Sequence, residues 1–186
     1  TESLLEKSLI SIFFKGTVMK KILLTSLFLL GFNLNVQAQE MFKLAESCSE
    51  DVMNMIKCKL VEGVSADDAI ESMKLRANFL NFKMVGHMPL SEQVKANGGE
   101  SNRMEIFQFC DANIAAQMVK HSMAFAGYLP CRISVVEDDA GQAWLITLNM
   151  DKTMGDASLP KQLQGLGLKV RNNIYSIISA GTEGDL

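Results

Sequence analysis

The sequence from Glu105 to Asn149, EIFQFCDANIAAQMVKHSMAFAGYLPCRISVVEDDAGQAWLITLN, is the most informative part of this chain. Its ends have the apolar patterns of strands, and its middle has apolar residues at helical spacing. Asp111 stands where it can cap that helix, and Asp138-Asp139-Ala140-Gly141 has the composition of a hairpin turn. The stretch therefore predicts a strand, a helix and a two-stranded hairpin, at Met104–Cys110, Ala112–Ala124, Cys131–Glu137 and Gln142–Asn149.

A strand, a helix and a second strand are predicted on the N-terminal side of this stretch. Met53–Gly63 has apolar side chains in alternation, which indicates a strand. Ser65 and Asp68 have the spacing of a capping box, with Asp in place of the usual Glu. Apolar residues then recur at helical spacing, so one face of this helix is expected to be buried. The next strand, Phe82–Met88, is expected to end at Pro89.

Three further segments are less regular. Met41–Asp51 is expected to be a short helix or a flexible lead-in. Leu90–Asn102 is expected to be a mobile loop, because it ends in Asn97-Gly98-Gly99. Near the C-terminus Ser158-Leu159-Pro160 has the composition of a helix start, and an apolar stripe from Leu163 predicts a helix that stops at Gly181. Gly165 and Gly167 weaken the first turns, so a start near Leu168 is the alternative.

The order of these elements predicts a fold class. It reads strand, helix, strand, then strand, helix and two strands, with a final helix, and neither an internal repeat nor a linker interrupts it. This order is typical of α+β proteins. We expect a single two-layer domain over residues 53–186, with a mostly antiparallel sheet and helices packed on one face. Residues 39–52 are expected to form an N-terminal lead-in.

The N-terminal residues have the composition of an export signal. Met19–Ala38 begins with two lysines, continues with an apolar run, and ends in Val36-Gln37-Ala38, a small-residue cleavage motif. The apolar run is shorter than the ~20 residues that span a bilayer, which favours cleavage over a membrane anchor. We expect a periplasmic or secreted protein with no membrane span after cleavage. Residues 1–18 precede this signal and are interpreted as an upstream extension outside the fold.

Charge and motifs disfavour several classes of function. The formal net charge is −3, and no cluster of more than two lysines or arginines occurs, whereas non-specific nucleic-acid binding relies on a basic surface. No nucleic-acid partner is therefore expected. The sequence also lacks Gly-x-Ser-x-Gly, a glycine-rich phosphate loop after a strand, and His-Glu-x-x-His. A conventional hydrolase, kinase or zinc protease is disfavoured, and no catalytic residue is assigned.

The central stretch resembles a bacterial and archaeal family called domain of unknown function 302. The resemblance is carried by the strand that ends in Cys110-Asp111, the helix after it, Leu129-Pro130-Cys131-Arg132, and the acidic turn with Gly141. It covers about Met55–Asn149 and is similar to the cysteine-bearing, exported subset of that family. Asp111-Ala112 stands where an Asn-Pro pair is more typical, although the capping role is kept. The resemblance implies a compact α+β domain with no established reaction.

Four cysteines follow the predicted cleavage site: Cys48, Cys58, Cys110 and Cys131. In an oxidising compartment an even number favours disulfides, and local pairing joins Cys48 to Cys58 and Cys110 to Cys131. A parallel crossover would put Cys110 and Cys131 at opposite edges of the sheet, beyond the ~4.4–6.8 Å between the Cα atoms of a disulfide. That pairing therefore requires residues 124–130 to lead the chain back. A structural disulfide, buried free thiols and a reactive or metal-binding thiol pair all remain open.

A soft-metal site is one interpretation of these cysteines. His121, Met118 and Met123 lie on or near the helix predicted after Cys110. Together with Cys110 and Cys131 they would supply soft ligands for copper or a haem iron. In the competing interpretation His121 is a half-buried structural residue and the methionines fill the core.

Two hypotheses about function follow from these observations. The leading one is an exported, non-enzymatic binding or accessory protein that requires no cofactor. The alternative is a thiol-redox protein, or a metal- or haem-handling protein, that acts through Cys110 and Cys131. Arg132 is predicted to face away from the core, where it is a candidate contact for an anion or a partner, or a member of a surface ion pair. A homodimer or a periplasmic protein partner would use apolar residues near Phe125 and Tyr128.

Overall fold

A six-stranded antiparallel sheet forms the centre of the computed structural model, which describes residues 41–155 and 159–185. The strands are β1 (Cys48–Asp51), β2 (Met55–Lys59), β3 (Lys83–Pro89), β4 (Met104–Cys110), β5 (Cys131–Glu137) and β6 (Ala143–Leu148). Their order across the sheet is β1-β2-β6-β5-β4-β3, and every neighbouring pair is antiparallel. After β2 the chain therefore crosses to β3 at the far edge and returns strand by strand until β6 lies beside β2.

The helices in these residues are α1 (Ala66–Phe79), α2 (Leu90–Ala96), α3 (Ala112–His121), a 3-10 helix (Met123–Tyr128), α4 (Met150–Gly155) and α5 (Lys161–Glu183). The long helices α1 and α5 pack against each other and against one face of the sheet. Of the helices in the described part of the chain, none combines the length and apolar character needed to cross a membrane.

The main hydrophobic core lies between the sheet and the pair α1 and α5. Phe107 and Phe109 of β4, Ile133 and Val135 of β5, and Leu145 of β6 are at most 1% exposed. Their period of two is that of strands with one buried face, and burial of each such side chain contributes about 1.5–3 kcal/mol. The predicted two-layer α+β domain, with a mostly antiparallel sheet and helices on one face, is confirmed.

The predicted capping box at the start of α1 is also confirmed. The backbone N–H of Asp68 donates to Ser65 Oγ over 3.1 Å, and the backbone N–H of Ser65 donates to Asp68 Oδ2 over 3.1 Å. Two N–H groups that would lack helical partners are thereby satisfied. Ala69 and Met73 on the apolar face of α1 are fully buried.

Two expected irregular segments are regular in the structure. Cys48–Asp51 is strand β1 rather than part of a short helix or of a flexible lead-in, because β2 offers it an antiparallel partner in register. Leu90–Ala96 is helix α2 rather than a mobile loop. The Asn-Gly-Gly sequence ends this helix, since the N–H groups of Gly98 and Gly99 donate to the carbonyls of Lys95 and Val94 over 3.0 Å.

The last helix begins at Lys161, directly after Pro160, which agrees with the helix start predicted at Ser158-Leu159-Pro160 rather than with the alternative near Leu168. At its C-terminal end it is longer than expected and continues past Gly181 to Glu183. Gly184, with a φ of 71°, ends it in the left-handed conformation that favours glycine. Gly181 instead lies where α5 approaches Ala69 and Met73 of α1.

The predicted signal peptide, Met19–Ala38, and the upstream residues 1–18 lie outside the described residues. Both assignments stay predictions.

Candidate functional site

Cys110 and Cys131 lie at the same end of the sheet. Strand β4 ends at Cys110, β5 begins at Cys131, and Phe109 pairs directly with Cys131 in the antiparallel register. Helix α3 and the 3-10 helix lead the chain back to the end of the sheet from which it left, so no parallel crossover separates the two cysteines. Neither cysteine is in a disulfide.

The other two cysteines form a disulfide between β1 and β2. Cys48 and Cys58 are directly opposite in the register, with their Cα atoms 3.9 Å apart. The disulfide links the edge strand β1 to the rest of the sheet, and Cys58 is fully buried in the main core. Neither residue lines the pocket described next.

A pocket of about 340 Å³ lies beside Cys110 and Cys131, and we call it the sheet-end pocket. Its walls are built by the ends of β4, β5 and β6 together with α3, the 3-10 helix, α4 and α5. Most of the lining side chains are apolar, among them Phe82, Ile114, Met118, Phe125, Leu129 and Val170. The volume is at the lower end of the ~300–1,000 Å³ typical of small-molecule sites, and a mainly apolar lining with few polar groups is their usual composition.

A second, smaller hydrophobic cluster holds α3 in position as one wall of this pocket. Ile114 and Met118 of α3 pack against Leu159 and Leu163 near the start of α5. This cluster is separate from the main core. The sheet-end pocket is thus lined by side chains that are distant from one another in the sequence.

Asp111 connects the end of β4 to α3 and α5. Its Oδ1 accepts hydrogen bonds from the backbone N–H groups of Asn113 and Ile114 over 3.0 and 3.2 Å, so the predicted capping role is confirmed. Its Oδ2 lies 3.8 Å from Lys169 Nζ on α5. The carboxylate is thus compensated by the helix N-terminus and by a cation.

Both thiols at the pocket are protonated at neutral pH. Burial raises the pKa of Cys131 to about 12, the neighbouring Cys110 adds to this effect, and the positive charge of Arg132 opposes it only in part. Burial and the negative charge of Asp111 also raise the pKa of Cys110. Reactive cysteines have lowered pKa values, because the thiolate is the nucleophile. The site therefore holds two weakly nucleophilic thiols.

Arg132 lines the pocket and is exposed, facing away from the core as its alternation with Ile133 predicts. Its backbone carbonyl accepts a hydrogen bond from Thr147 Oγ1 over 2.7 Å. Its guanidinium makes neither an ion pair nor a hydrogen bond with any other residue in the described ranges. Of the two charged residues that line the pocket, Asp111 is compensated by the protein and Arg132 is not.

The residues proposed as metal ligands are brought together only in part. Met118 lines the pocket with Cys110 and Cys131, whereas His121 and Met123 are exposed and do not line it. His121 is the last residue of α3, and the extended backbone of Ser122 then turns the chain, so His121 is not half-buried as expected. Within residues 41–155 and 159–185, no group of three His, Cys, Asp or Glu side chains is arranged to hold a metal ion. Three of the five candidate ligands, Cys110, Cys131 and Met118, thus line one pocket, and the copper or haem site stays a prediction.

A polar cluster on β3 and β4 was not anticipated from the sequence. His87 Nε2 lies 2.6 Å from Glu105 Oε2, and the ring of His87 stacks on Phe107 with centroids 4.4 Å apart. Glu105 also accepts a hydrogen bond from Arg103, which in turn donates to Asp67 of α1 over 2.7 Å. The cluster links edge strand β3 to the helical layer.

Comparison with known proteins places this architecture in a family. The family model described as "Domain of unknown function DUF302" matches residues 57–181. The crystal structure of an uncharacterized conserved protein DUF302 from Bacillus stearothermophilus is similar with a TM-score of 0.58. It is 16% identical in sequence and covers 69% of this chain and 98% of that chain, a level of identity at which the likeness concerns the fold. No curated protein matches. The matched range includes α1, the cysteine pair, Arg132 and most of α5, and the chain belongs to the DUF302 family.

Proposed function

We propose that this protein is an exported, non-enzymatic binding protein that holds a small, largely apolar molecule in the sheet-end pocket. The observation that carries the proposal is the pocket itself, about 340 Å³ in volume, with apolar walls and a small polar section around Cys110, Cys131 and Arg132. Transfer of apolar ligand surface into such a pocket contributes about 25 cal/mol per Å².

The polar groups of the pocket favour binding over catalysis. A nucleophile or general base needs a pKa tuned toward the working pH, whereas the pKa values of Cys110 and Cys131 are raised away from it. The carboxylate of Asp111 is occupied as a helix cap and faces Lys169. These groups orient and contact a ligand, and they are not set to react with it.

Binding in the pocket is tested with a neutral, environment-sensitive dye such as N-phenyl-1-naphthylamine. Ala115 and Ala116 are neighbours on α3, but Ala115 lines the pocket and Ala116 is exposed outside it. Ala115→Trp is expected to fill part of the pocket and weaken dye binding about tenfold or more, and Ala116→Trp should leave it unchanged. Absence of dye binding to the wild type, or an equal effect of both variants, would refute the proposal.

Export is tested independently of binding. If Met19–Ala38 is a cleaved signal, the protein released from the periplasm begins at Gln39, and mass spectrometry of its N-terminal peptide identifies that residue. An intact N-terminus in the cytoplasmic fraction would contradict export and leave the binding proposal standing.

A thiol-redox function is the second candidate, supported by the placement of two free thiols at neighbouring ends of β4 and β5. In this candidate a disulfide compound RSSR is reduced to two RSH molecules while Cys110 and Cys131 form a disulfide. Their raised pKa values make this exchange slow at neutral pH. The test is alkylation mass spectrometry before and after incubation with oxidised glutathione. A Cys110–Cys131 bond that forms and is easily reduced supports this candidate, and persistent free thiols exclude it.

A further inference from the structure

The polar section of the sheet-end pocket carries an uncompensated positive charge. Asp111 and Arg132 are the charged residues that line the pocket. Asp111 accepts two backbone hydrogen bonds and faces Lys169 at 3.8 Å. The guanidinium of Arg132 meets no acceptor in the described part of the chain. The pocket therefore presents a net positive group beside apolar walls.

The position of Arg132 suits contact with a ligand head group. In β5 it precedes Ser134 by two residues, so both side chains point to the same face of the sheet, and both line the pocket. A guanidinium presents planar donors that match a carboxylate or phosphate in a bidentate manner, and the Ser134 hydroxyl is a further donor. Because Arg132 is exposed, an ion pair here avoids most of the desolvation cost of a buried pair.

The apolar walls provide the complementary half of the site. Met118 and Phe125 come from α3 and the 3-10 helix, and Leu129 follows the 3-10 helix two residues before Cys131. These residues surround a volume of about 340 Å³, which is too small for a folded partner and is of a size suited to a short acyl chain or an aryl group.

From this geometry we infer that the ligand of the sheet-end pocket is a small amphiphile with one anionic head group. Arg132 binds the carboxylate or phosphate monoester at the rim, and the apolar tail lies against Met118, Phe125 and Leu129. The inference rests on the proposed binding function and names its ligand class.

The test compares ligands that share one alkyl chain and differ in the head group. Displacement of the neutral dye is measured with decanoate, decyl phosphate, decanol and decylamine. We expect at least one of the two anions to bind about tenfold more tightly than decanol, which is the range of a charge-assisted hydrogen bond. Decylamine is expected to bind most weakly. The tighter of decanoate and decyl phosphate identifies the preferred head group.

Two variants that each remove one positive charge distinguish a direct contact between Arg132 and the anion from a general effect of the protein's net charge. Arg132→Gln is expected to reduce the affinity for the preferred anion to that for decanol. Lys95→Gln, on α2 and paired with Glu92 outside the pocket, removes the same charge and should leave the affinity unchanged. Circular dichroism and urea unfolding check that both variants fold.

The outcomes distinguish this inference from the proposed function. Equal binding of decanol and both anions, or an Arg132→Gln variant that keeps the preference for anions, overturns the inference while binding in the pocket stands. Absence of dye binding to the wild type, against which every amphiphile is measured, overturns both.

Discussion

Cys131 lies directly opposite Phe109 in the antiparallel pairing of β4 and β5, so its thiol stands on the core face of the sheet beside the end of β4. Phe109 is fully buried on that face. A cysteine placed there cannot ionise without moving a charge into apolar surroundings. Cys110 follows Phe109 in β4, and both cysteines line the sheet-end pocket, with Cys131 also packed against the main core.

Cys131 is expected to make the fold sensitive to alkaline pH. Its pKa in the folded protein is about 12, above the ordinary value of 9.0, so the folded state keeps a proton that the unfolded chain releases. The stabilisation is fully present below about pH 9 and decreases as the pH rises toward 12. Between neutral pH and about pH 10.5, the free energy of unfolding of the wild type is expected to fall by about 2 kcal/mol more than that of the Cys131→Ala variant. Urea unfolding at both pH values measures the difference, and parallel loss in the two proteins would contradict it.

The Cys48–Cys58 disulfide is expected to stabilise the edge of the sheet. It closes a short loop between residues separated by 10 positions, for which the loss of unfolded-state entropy amounts to about 2–3 kcal/mol. The double variant Cys48→Ala/Cys58→Ala should lower the free energy of unfolding by that amount. As a check on the bond, denatured wild type should show two reactive thiols before reduction and four after it. Four thiols without reductant would contradict the pairing.

Gly181 is expected to be required for the close packing of α5 on α1. A Cβ atom at this position would lie 2.6 Å from Met73 Cγ and 2.9 Å from Leu145 Cδ1. Gly181→Ala should therefore destabilise the protein by about 1–3 kcal/mol through overpacking. Gly165→Ala is the matched control, because nothing lies within 4 Å of a Cβ there. It should stabilise α5 by about 0.5–1 kcal/mol. Thermal unfolding of both variants tests the contrast, and equal effects would exclude the packing argument.

Glu105 is expected to contribute stability that is lost in acid. Burial raises the pKa of this carboxyl, but hydrogen bonds from His87 and Arg103 outweigh burial and leave the pKa below its ordinary value of 4.5. A lowered pKa gives stability that is present above the unfolded pKa and disappears as the pH falls through the folded one. Glu105→Gln should therefore lower the free energy of unfolding by about 1–2 kcal/mol at neutral pH and by much less at about pH 3. Denaturant unfolding of the wild type and the variant at the two pH values measures this difference. If the loss of stability were the same at both pH values, the charge of Glu105 would not be what stabilises the cluster.

The sequence by itself determined the elements whose causes lie within a few neighbouring residues. Ser65 and Asp68 form a capping box because both partners belong to one helical turn, and the alternation in β4, β5 and β6 sorts side chains between two faces. Asp111 caps α3 for the same local reason. These short-range signals were sufficient to predict the α+β class, and the resemblance of the central stretch to the DUF302 family was confirmed.

Only the tertiary structure decided which distant residues meet. Residues 48–51 are polar and have no strand pattern of their own, and they become β1 because β2 supplies hydrogen-bonding partners. Gly181 is a packing contact rather than a helix stop, since α5 meets α1 there. His121 lies beside the apolar face of α3 in sequence, yet it is exposed because the helix ends at that residue.

The candidate site depended on the same long-range pairing. Cys110, Cys131 and Arg132 were singled out from the sequence, but the wall formed by Phe82 and Val170 was not, because neither residue has a local signal that points to a pocket. Strand register and helix packing bring together side chains that are far apart along the chain. Contacts of this kind depend on how the backbone returns to the sheet after each helix, and a short stretch of sequence does not determine that path.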